Sequence, residues 1–369
     1  MDLACEVVPA AELGLDRAGL DALDARAQRC IDDGPWPGLQ VAVARHGRLA
    51  FFKGYGTATE RSRFETFSAT KPVTNSALWM LWAEGRLSPD TVVAEVVPEF
   101  GSNGKDRITV EQLVCQTAGF PHAPLDFFTA QERSNRLERF AKWRLNWEPG
   151  TASEYHPTSA HWVLAEVIER LTGDDYRTFV RERVVEPLGL PTLQLGIPVD
   201  QQGDIEDLVV VGDGSGGYGE TEANVTNMLN FNHPQVRALG IPSAGCYSTT
   251  ADFALLYQAF LHDPYGLWDP EILADVKTNV RNTLVDRMSG KPANLSFGFN
   301  VNLGAGPDGA FGSTASAQAF GWTGAGGQEA WADPVTGISF ASFTNGLDQE
   351  FATAHARARE LSTIAGGLA

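Results

Sequence analysis

A chain of 369 residues that is 43% hydrophobic can bury one large core or two moderate ones and is too long for one compact layer, so two subdomains are expected. Its formal charge of -18, from 46 acidic against 28 basic residues, repels nucleic acid and anionic lipid and excludes both as partners. No run approaches about 18 consecutive apolar residues, which excludes a spanning helix.

The opening Met-Asp-Leu-Ala-Cys-Glu-Val-Val has neither a basic segment nor a sustained apolar one, so no signal peptide is expected. Leu39 to Arg45, the turn His46-Gly47 and Arg48 to Lys53 read as a β-hairpin. Ser68 to Ala83 reads as an amphipathic helix with Pro72 tolerated in its first turn and Gly85 as its stop. Ala160 to Leu171 carries Val163, Leu164, Val167, Ile168 and Leu171 on one stripe before Gly173, an amphipathic helix with a glycine cap. Gly212 to Gly219 is a short glycine-rich segment, expected to be a surface loop; no Gly-Lys-Ser/Thr follows, so it is not a phosphate loop. Ala251 to Leu261 follows Thr249, which stands three residues before Asp252 and is expected to cap a helix. Gln328 to Ala332, the turn Asp333 to Gly337 and Ile338 to Thr344 predict a second hairpin. A last helix is expected over 350–364.

Strands at both ends with helices between them predict an α+β fold: an antiparallel sheet built from both termini and flanked by helices, with an inserted mainly helical domain. The expected division joins 1–66 with 290–369 and sets 67–289 apart, with the active site in the cleft between the two.

Three segments carry chemistry. Ser68-Ala69-Thr70-Lys71 puts a hydroxyl and an amine one helical turn apart, on one face. A serine is inert at neutral pH until a base takes its proton, and a lysine serves if burial or another cation depresses its pKa. Tyr155, in Glu154-Tyr155-His156-Pro157 at the entrance of the 160–171 helix, can shuttle a proton; as a base it needs a cation such as Lys71 to stabilise its phenolate. Phe320-Gly-Trp-Thr-Gly-Ala-Gly-Gly-Gln328 is a glycine-rich strand entry whose backbone can approach a ligand and offer an N–H to an oxyanion.

Rival chemistries lack their motifs. No Gly-x-Ser-x-Gly elbow is present, the segments around Ser215 and Ser243 each failing at a required glycine. The histidines form no His-Glu-x-x-His, and His156 and His161 are off a common helical face, so no metal site is expected. Cys5, Cys30, Cys115 and Cys246 are widely spaced without a Cys-x-x-Cys; reduced thiols in a cytoplasmic protein fit this usage.

In this order the segments resemble the class C β-lactamase and penicillin-recognising serine hydrolases, and more narrowly the family VIII carboxylesterases. The resemblance spans most of the chain. Pro37 to Gly54 is similar to the family's first hairpin, Phe67 to Val73 to its nucleophile motif, Ile108 to Pro121 and Pro242 to Ser248 to two later segments, and Gly321 to Gly327 stands where the family has Lys-Thr-Gly or His-x-Gly. The resemblance implies Ser68 as acylated nucleophile, Lys71 as its activator, Tyr155 as general base or acid, and the backbone N–H groups of Ser68 and Ala325 as oxyanion donors. It implies no metal or organic cofactor. Trp322, Thr323, Gly324, His156, Phe120 and Phe128 are the expected substrate-binding residues.

Departures from the pattern bear on substrate. The family's Tyr-x-Asn is Tyr155-His156-Pro157 here, so the amide that engages acyl-amide substrates is missing. Trp322 replaces the lysine that attracts a lactam's carboxylate, which favours an apolar or aromatic ester. Gln116 replaces a usual histidine. The expectation is a serine carboxylesterase acting on small esters. A β-lactamase, a D-amino-acid peptidase or amidase, or an acyltransferase would use the same site, and a catalytically silent ligand-binding homologue is a further alternative.

Overall fold

The computed structural model of the chain describes residues 3–212, 227–304, 309–349 and 351–369. Its main sheet runs in the order β1 (Ala4–Val7), β3 (Arg48–Gly56), β2 (Gly38–Arg45), β11 (Ile338–Thr344), β10 (Gln328–Ala332), β9 (Phe320–Gly324) and β8 (Asn300–Val301). Strands from the two ends of the chain meet at β2/β11, an antiparallel pair running from Leu39 opposite Thr344 to Arg45 opposite Ile338. One pairing departs from the expected antiparallel sheet: β1 lies parallel to β3. Helix α1 (Arg17–Asp32) separates β1 from the β2/β3 hairpin, and a helical crossover permits the parallel pairing that a tight turn forbids. The hairpin itself turns on His46 (φ 54°) and Gly47 (φ 73°), the two left-handed residues a two-residue turn requires.

Alternation along β2 gives the sheet two apolar faces. Leu39, Val41 and Val43 share a core with Leu20, Leu23 and Ala27 of α1 and with Ala358 and Leu361 of the C-terminal helix Phe351–Gly366. Ala42 and Ala44 face the other way, into a larger core with helix Thr250–His262 and the helical part of the chain. Thr249 caps that helix by accepting from the Asp252 amide at 3.3 Å, and the 160–171 stripe lies within helix Ser159–Thr172, closed by Gly173 at φ 85°. Two smaller sheets join β4 (Phe64–Glu65), β7 (Cys246–Ser248) and β5 (Gln194–Leu195), and β6 (Val209–Val211) with β12 (Gly346–Asp348).

Helix α2 (Lys71–Ala83) does not show the one-sided burial of the amphipathic helix expected from its sequence. Every residue from Lys71 to Leu81 is buried, as expected of a helix at the centre of a core. Trp79 sits among the rings of Phe260, Trp268 and Phe299 and donates its indole N–H to Phe297 O at 2.8 Å. Two polar side chains of α2 find backbone acceptors: Thr74 donates to Pro242 O at 2.6 Å and Ser76 to Val73 O at 2.7 Å.

Cys30, Cys115 and Cys246 are free and buried. Among the described residues no helix is long and apolar enough to cross a membrane. The glycine-rich segment read as a surface loop lies outside the described residues from 213 onward.

Candidate active site

Phe67–Thr70 form a single 3₁₀ turn, and α2 begins at Lys71, so the α-helix starts three residues later than the sequence predicts. The difference matters chemically. Residues i and i+3 eclipse in a 3₁₀ turn, which brings the Lys71 side chain onto Ser68. The turn is entered through Phe67, a non-glycine residue at φ 45°, a left-handed conformation costing about 1–2 kcal/mol. Its amide donates to Glu65 Oε1 at 2.9 Å.

Three groups converge above this turn. Lys71 Nζ lies 3.2 Å from Ser68 Oγ and 2.7 Å from the Tyr155 hydroxyl, and the Tyr155 hydroxyl hydrogen-bonds Ser68 Oγ. Lys71 Nζ also donates to Pro157 O at 2.9 Å and to Ser243 O at 3.4 Å. Burial alone holds the Lys71 amine well below its usual pKa, since the charged form loses its water and gains only carbonyl and hydroxyl oxygens. The amine beside Ser68 is therefore available to accept a proton.

Tyr155 behaves oppositely. Burial pushes its pKa up to about 12, with hydrogen bonding from Ser68 and from Trp322 offsetting part of the rise and the Asp286 carboxylate adding to it. The sequence reading left the division of proton transfer open and required a cationic Lys71 to make Tyr155 a base. Burial thus disfavours both the Tyr155 phenolate and the Lys71 ammonium, which suits the phenol to donate. The Tyr155 and Trp322 rings lie 4.7 Å and 6.0 Å from Lys71 Nζ, within reach of an ammonium formed there.

Strand β9 delivers the second backbone element. Thr323 pairs with Glu329 and Gly324 with Gln328 of β10, and this pairing carries the strand directly over residues 66 and 67. A Cβ at Gly324 would stand 2.4 Å from Thr66 O and 3.1 Å from Phe67 Cβ; glycine is needed here for close approach, not for its φ of -113°. Ala325 follows at once, beside the nucleophile turn. Trp322, 6% exposed, and half-buried Thr323 occupy the expected strand beside Tyr155 and Lys71.

Other predicted residues fall elsewhere. His156 is fully buried, its Nε2 accepting from Phe120 N at 3.1 Å and its Nδ1 2.7 Å from Glu154 O. Burial lowers its pKa to about 4, so it is a neutral brace for the Tyr155 loop and not a substrate contact. Phe120 is equally buried, stacked on Trp143 at 5.7 Å and edge-on to Phe100; it fills core and lines no cleft. Phe128, 43% exposed, packs edge-on against His233 at 5.0 Å. Its neighbour Phe127 instead meets Phe231, which meets Phe67, at ring distances of 5.6 and 5.2 Å, an aromatic chain leading to the nucleophile turn.

The sequence reading missed Phe231 and the carbonyls of Pro157 and Ser243. The Pro242 to Ser248 segment had been noted without a role, and that signal could have found Ser243. Gln116, which stands where the resemblance has a histidine, braces the site: its Oε1 accepts from His156 N at 2.6 Å, and its Nε2 donates to Leu113 O and Val114 O at 3.4 and 3.2 Å. It ties the loop carrying Tyr155 to the preceding segment. Among the described residues no group of His, Cys, Asp and Glu is arranged to hold a metal ion.

Known proteins resemble this chain over most of its length. The beta-lactamase family model matches residues 23–363. A putative D-alanyl-D-alanine carboxypeptidase of Escherichia coli O157:H7 is 25% identical over 90% of this chain and 83% of its own. The esterase/beta-lactamase LipL of Mycobacterium tuberculosis is 26% identical over 76% of this chain and 68% of its own. Among solved structures, a penicillin-binding protein homologue from Caulobacter crescentus superposes with a TM-score of 0.78 at 27% identity, covering 95% of this chain and 98% of that one. A family match across nearly the whole chain, on a fold that sets an amine and a phenol against one serine, places this protein in the beta-lactamase family of serine hydrolases.

Proposed function

We propose that the protein is a carboxylesterase that cleaves short-chain or small aromatic esters through an acyl-enzyme, in a cleft between the sheet built from residues 1–66 with 290–369 and the helical region 67–289, and that it acts in the cytoplasm. The observation that carries the reading is Trp322 at the position beside Lys71 and Tyr155 where an ammonium would hold a substrate carboxylate. An indole offers an apolar face and one N–H donor, which suits an uncharged ester better than an anionic lactam or peptide. Pro157 supports the same reading: its carbonyl serves Lys71, and its side chain has no amide to engage an acyl-amide substrate. The aromatic chain Phe127, Phe231, Phe67 supports an apolar acyl group.

In this mechanism Ser68 Oγ attacks the ester carbonyl carbon as its proton passes to the Lys71 amine. The oxyanion is met by the Ser68 and Ala325 N–H groups. Collapse expels the alkoxide, which takes the Tyr155 phenolic proton, and the Lys71 ammonium re-protonates Tyr155. Water then attacks the acyl carbon, its proton passing through Tyr155 to Lys71, and as the acid departs the Lys71 ammonium returns that proton to Ser68 Oγ.

A panel of p-nitrophenyl acetate, p-nitrophenyl butyrate, nitrocefin and a D-alanyl-D-alanine peptide, run on the wild type and on Ser68→Ala, tests this. The esters should turn over with a burst, Ser68→Ala should lower kcat at least about 10³-fold, and nitrocefin should be a far poorer substrate. Equal kcat/KM for nitrocefin and ester would refute the ester assignment.

A further inference from the structure

Glu65 is a carboxylic acid placed where no part of this mechanism needs one. Its side chain is 2% exposed. One oxygen, Oε1, accepts from the Phe67 amide at 2.9 Å. Tyr247 stands directly opposite across β4/β7, but neither Glu65 Oε2 nor the Tyr247 hydroxyl makes a hydrogen bond among the described residues. Burial pushes the carboxyl well above its usual range, with Tyr247, the Phe67 amide and the Arg237 guanidinium only partly offsetting it; Arg237 is itself paired with Asp207 at 2.7 Å. What the geometry uses is one oxygen, Oε1, which accepts from Phe67 whether or not the acid carries a charge.

The amide it holds belongs to the strained residue. Phe67 adopts φ 45°, and its ring is wedged between Phe231 at 5.2 Å and the backbone at Gly326, where an added Cβ would meet its edge at 3.9 Å. The next residue is Ser68. A side-chain acceptor two residues back is what fixes a left-handed residue that the chain would otherwise relax.

We propose that Glu65 is a positioning residue: by accepting the Phe67 N–H it locks the left-handed entry to the nucleophile turn and so aims the Ser68 hydroxyl and N–H into the cleft. The proposal rests on the reading of Ser68 as nucleophile given above. The acid is needed as an acceptor and not as a charge, so an amide replaces it.

The test measures the rate at which a fluorophosphonate labels Ser68, followed by intact mass, in the wild type, Glu65→Ala and Glu65→Gln, beside kcat and KM for p-nitrophenyl acetate. Glu65→Ala should label at least about 10-fold more slowly and lose kcat with KM within about 3-fold of wild type, whereas Glu65→Gln should stay within about 3-fold in both, as general positioning effects on reaction geometry lead one to expect. Wild-type labelling in Glu65→Ala overturns the proposal, and so does equal slowing in the Ala and Gln variants, since the acceptor alone would then not suffice. If Glu65→Ala does not fold, Glu65→Asp takes its place, with its oxygens drawn back by one methylene and the same slowing expected. Labelling that follows this order in a protein that turns over no ester would sink the esterase reading and leave the proposal standing; unchanged labelling beside active ester hydrolysis would do the reverse.

Discussion

Replacing Lys71 by methionine separates the claim that this amine is neutral from the claim that it is merely present. Lys71 is fully buried, and methionine fills nearly the same volume without a titrating group. In the unfolded chain a lysine carries its proton up to about pH 10.5, whereas in the fold burial depresses that pKa. Between the folded and unfolded values the unfolded chain therefore binds one more proton at this site than the native one, and the Lys71 contribution to stability rises with pH by about 1.4 kcal/mol per unit. The sign follows directly: a depressed lysine penalises folding at low pH, and the penalty fades as pH climbs toward 10.5. Lys71→Met abolishes this dependence. The difference in unfolding free energy, wild type minus variant, should rise with pH above the depressed folded value, by no more than about 1.4 kcal/mol per unit, while Tyr155, pushed up to about 12, does not titrate between pH 7 and pH 9. Urea unfolding at pH 7, 8 and 9 measures the difference. The orphaned carbonyls of Pro157 and Ser243 add a constant cost that leaves the slope unchanged. Over the same range the variant should lose about 10²–10⁴ in ester kcat/KM, the usual contribution of a general base. A difference independent of pH would mean that Lys71 is charged in the fold, and the proton-transfer scheme would fail with it.

Three further outcomes follow from the geometry. Tyr155→Phe removes the hydroxyl that touches both Ser68 and Lys71 and should lower kcat by about 10²-fold or more with a smaller effect on KM, because proton delivery to the leaving group is lost; unchanged kcat in stopped-flow turnover would remove Tyr155 from the mechanism. Gly324→Ala would put a Cβ 2.4 Å from Thr66 O, so strand β9 must lift from the nucleophile turn. Ester kcat should fall about 10²-fold, the size of an oxyanion-donor loss, while circular dichroism retains the folded signal; wild-type kcat would refute the placement of Ala325. Trp322→Lys should shift preference by at least about 10-fold toward esters bearing a carboxylate on the acyl group, from one added charge pair in a desolvated cleft, and an unchanged ratio of kcat/KM values would show that Trp322 does not set the substrate charge.

What could be read from the sequence was what is local in it. Ser68 and Lys71 lie within one turn, and Tyr155 stands at a helix entrance, so each motif carries its chemistry whatever the rest of the chain does. The two hairpins and the capped helices were legible for the same reason, since alternation, His46-Gly47 and Gly173 are nearest-neighbour signals. Misreadings arose where sequence adjacency stood in for direction. His156 follows Tyr155, yet its ring points into the core to Phe120 N and Glu154 O. Phe128 is the expected contact, yet its ring packs on His233, and the ring that continues to Phe231 is that of Phe127. Phe231, Pro157 O and Ser243 O reach the site from separate segments, and no local pattern announces a carbonyl that accepts from a buried amine. The parallel β1/β3 pairing depends on the crossover through α1 and is invisible to any window of β1 alone.

The central claim is that Ser68 becomes acylated. Rapid quench of the wild type with p-nitrophenyl butyrate, intact mass and peptide mapping should find one butyryl group on the peptide containing Ser68, formed within the burst, lost on further incubation and absent from Ser68→Ala. A butyryl adduct on any other residue, or full ester turnover by Ser68→Ala, would contradict the account.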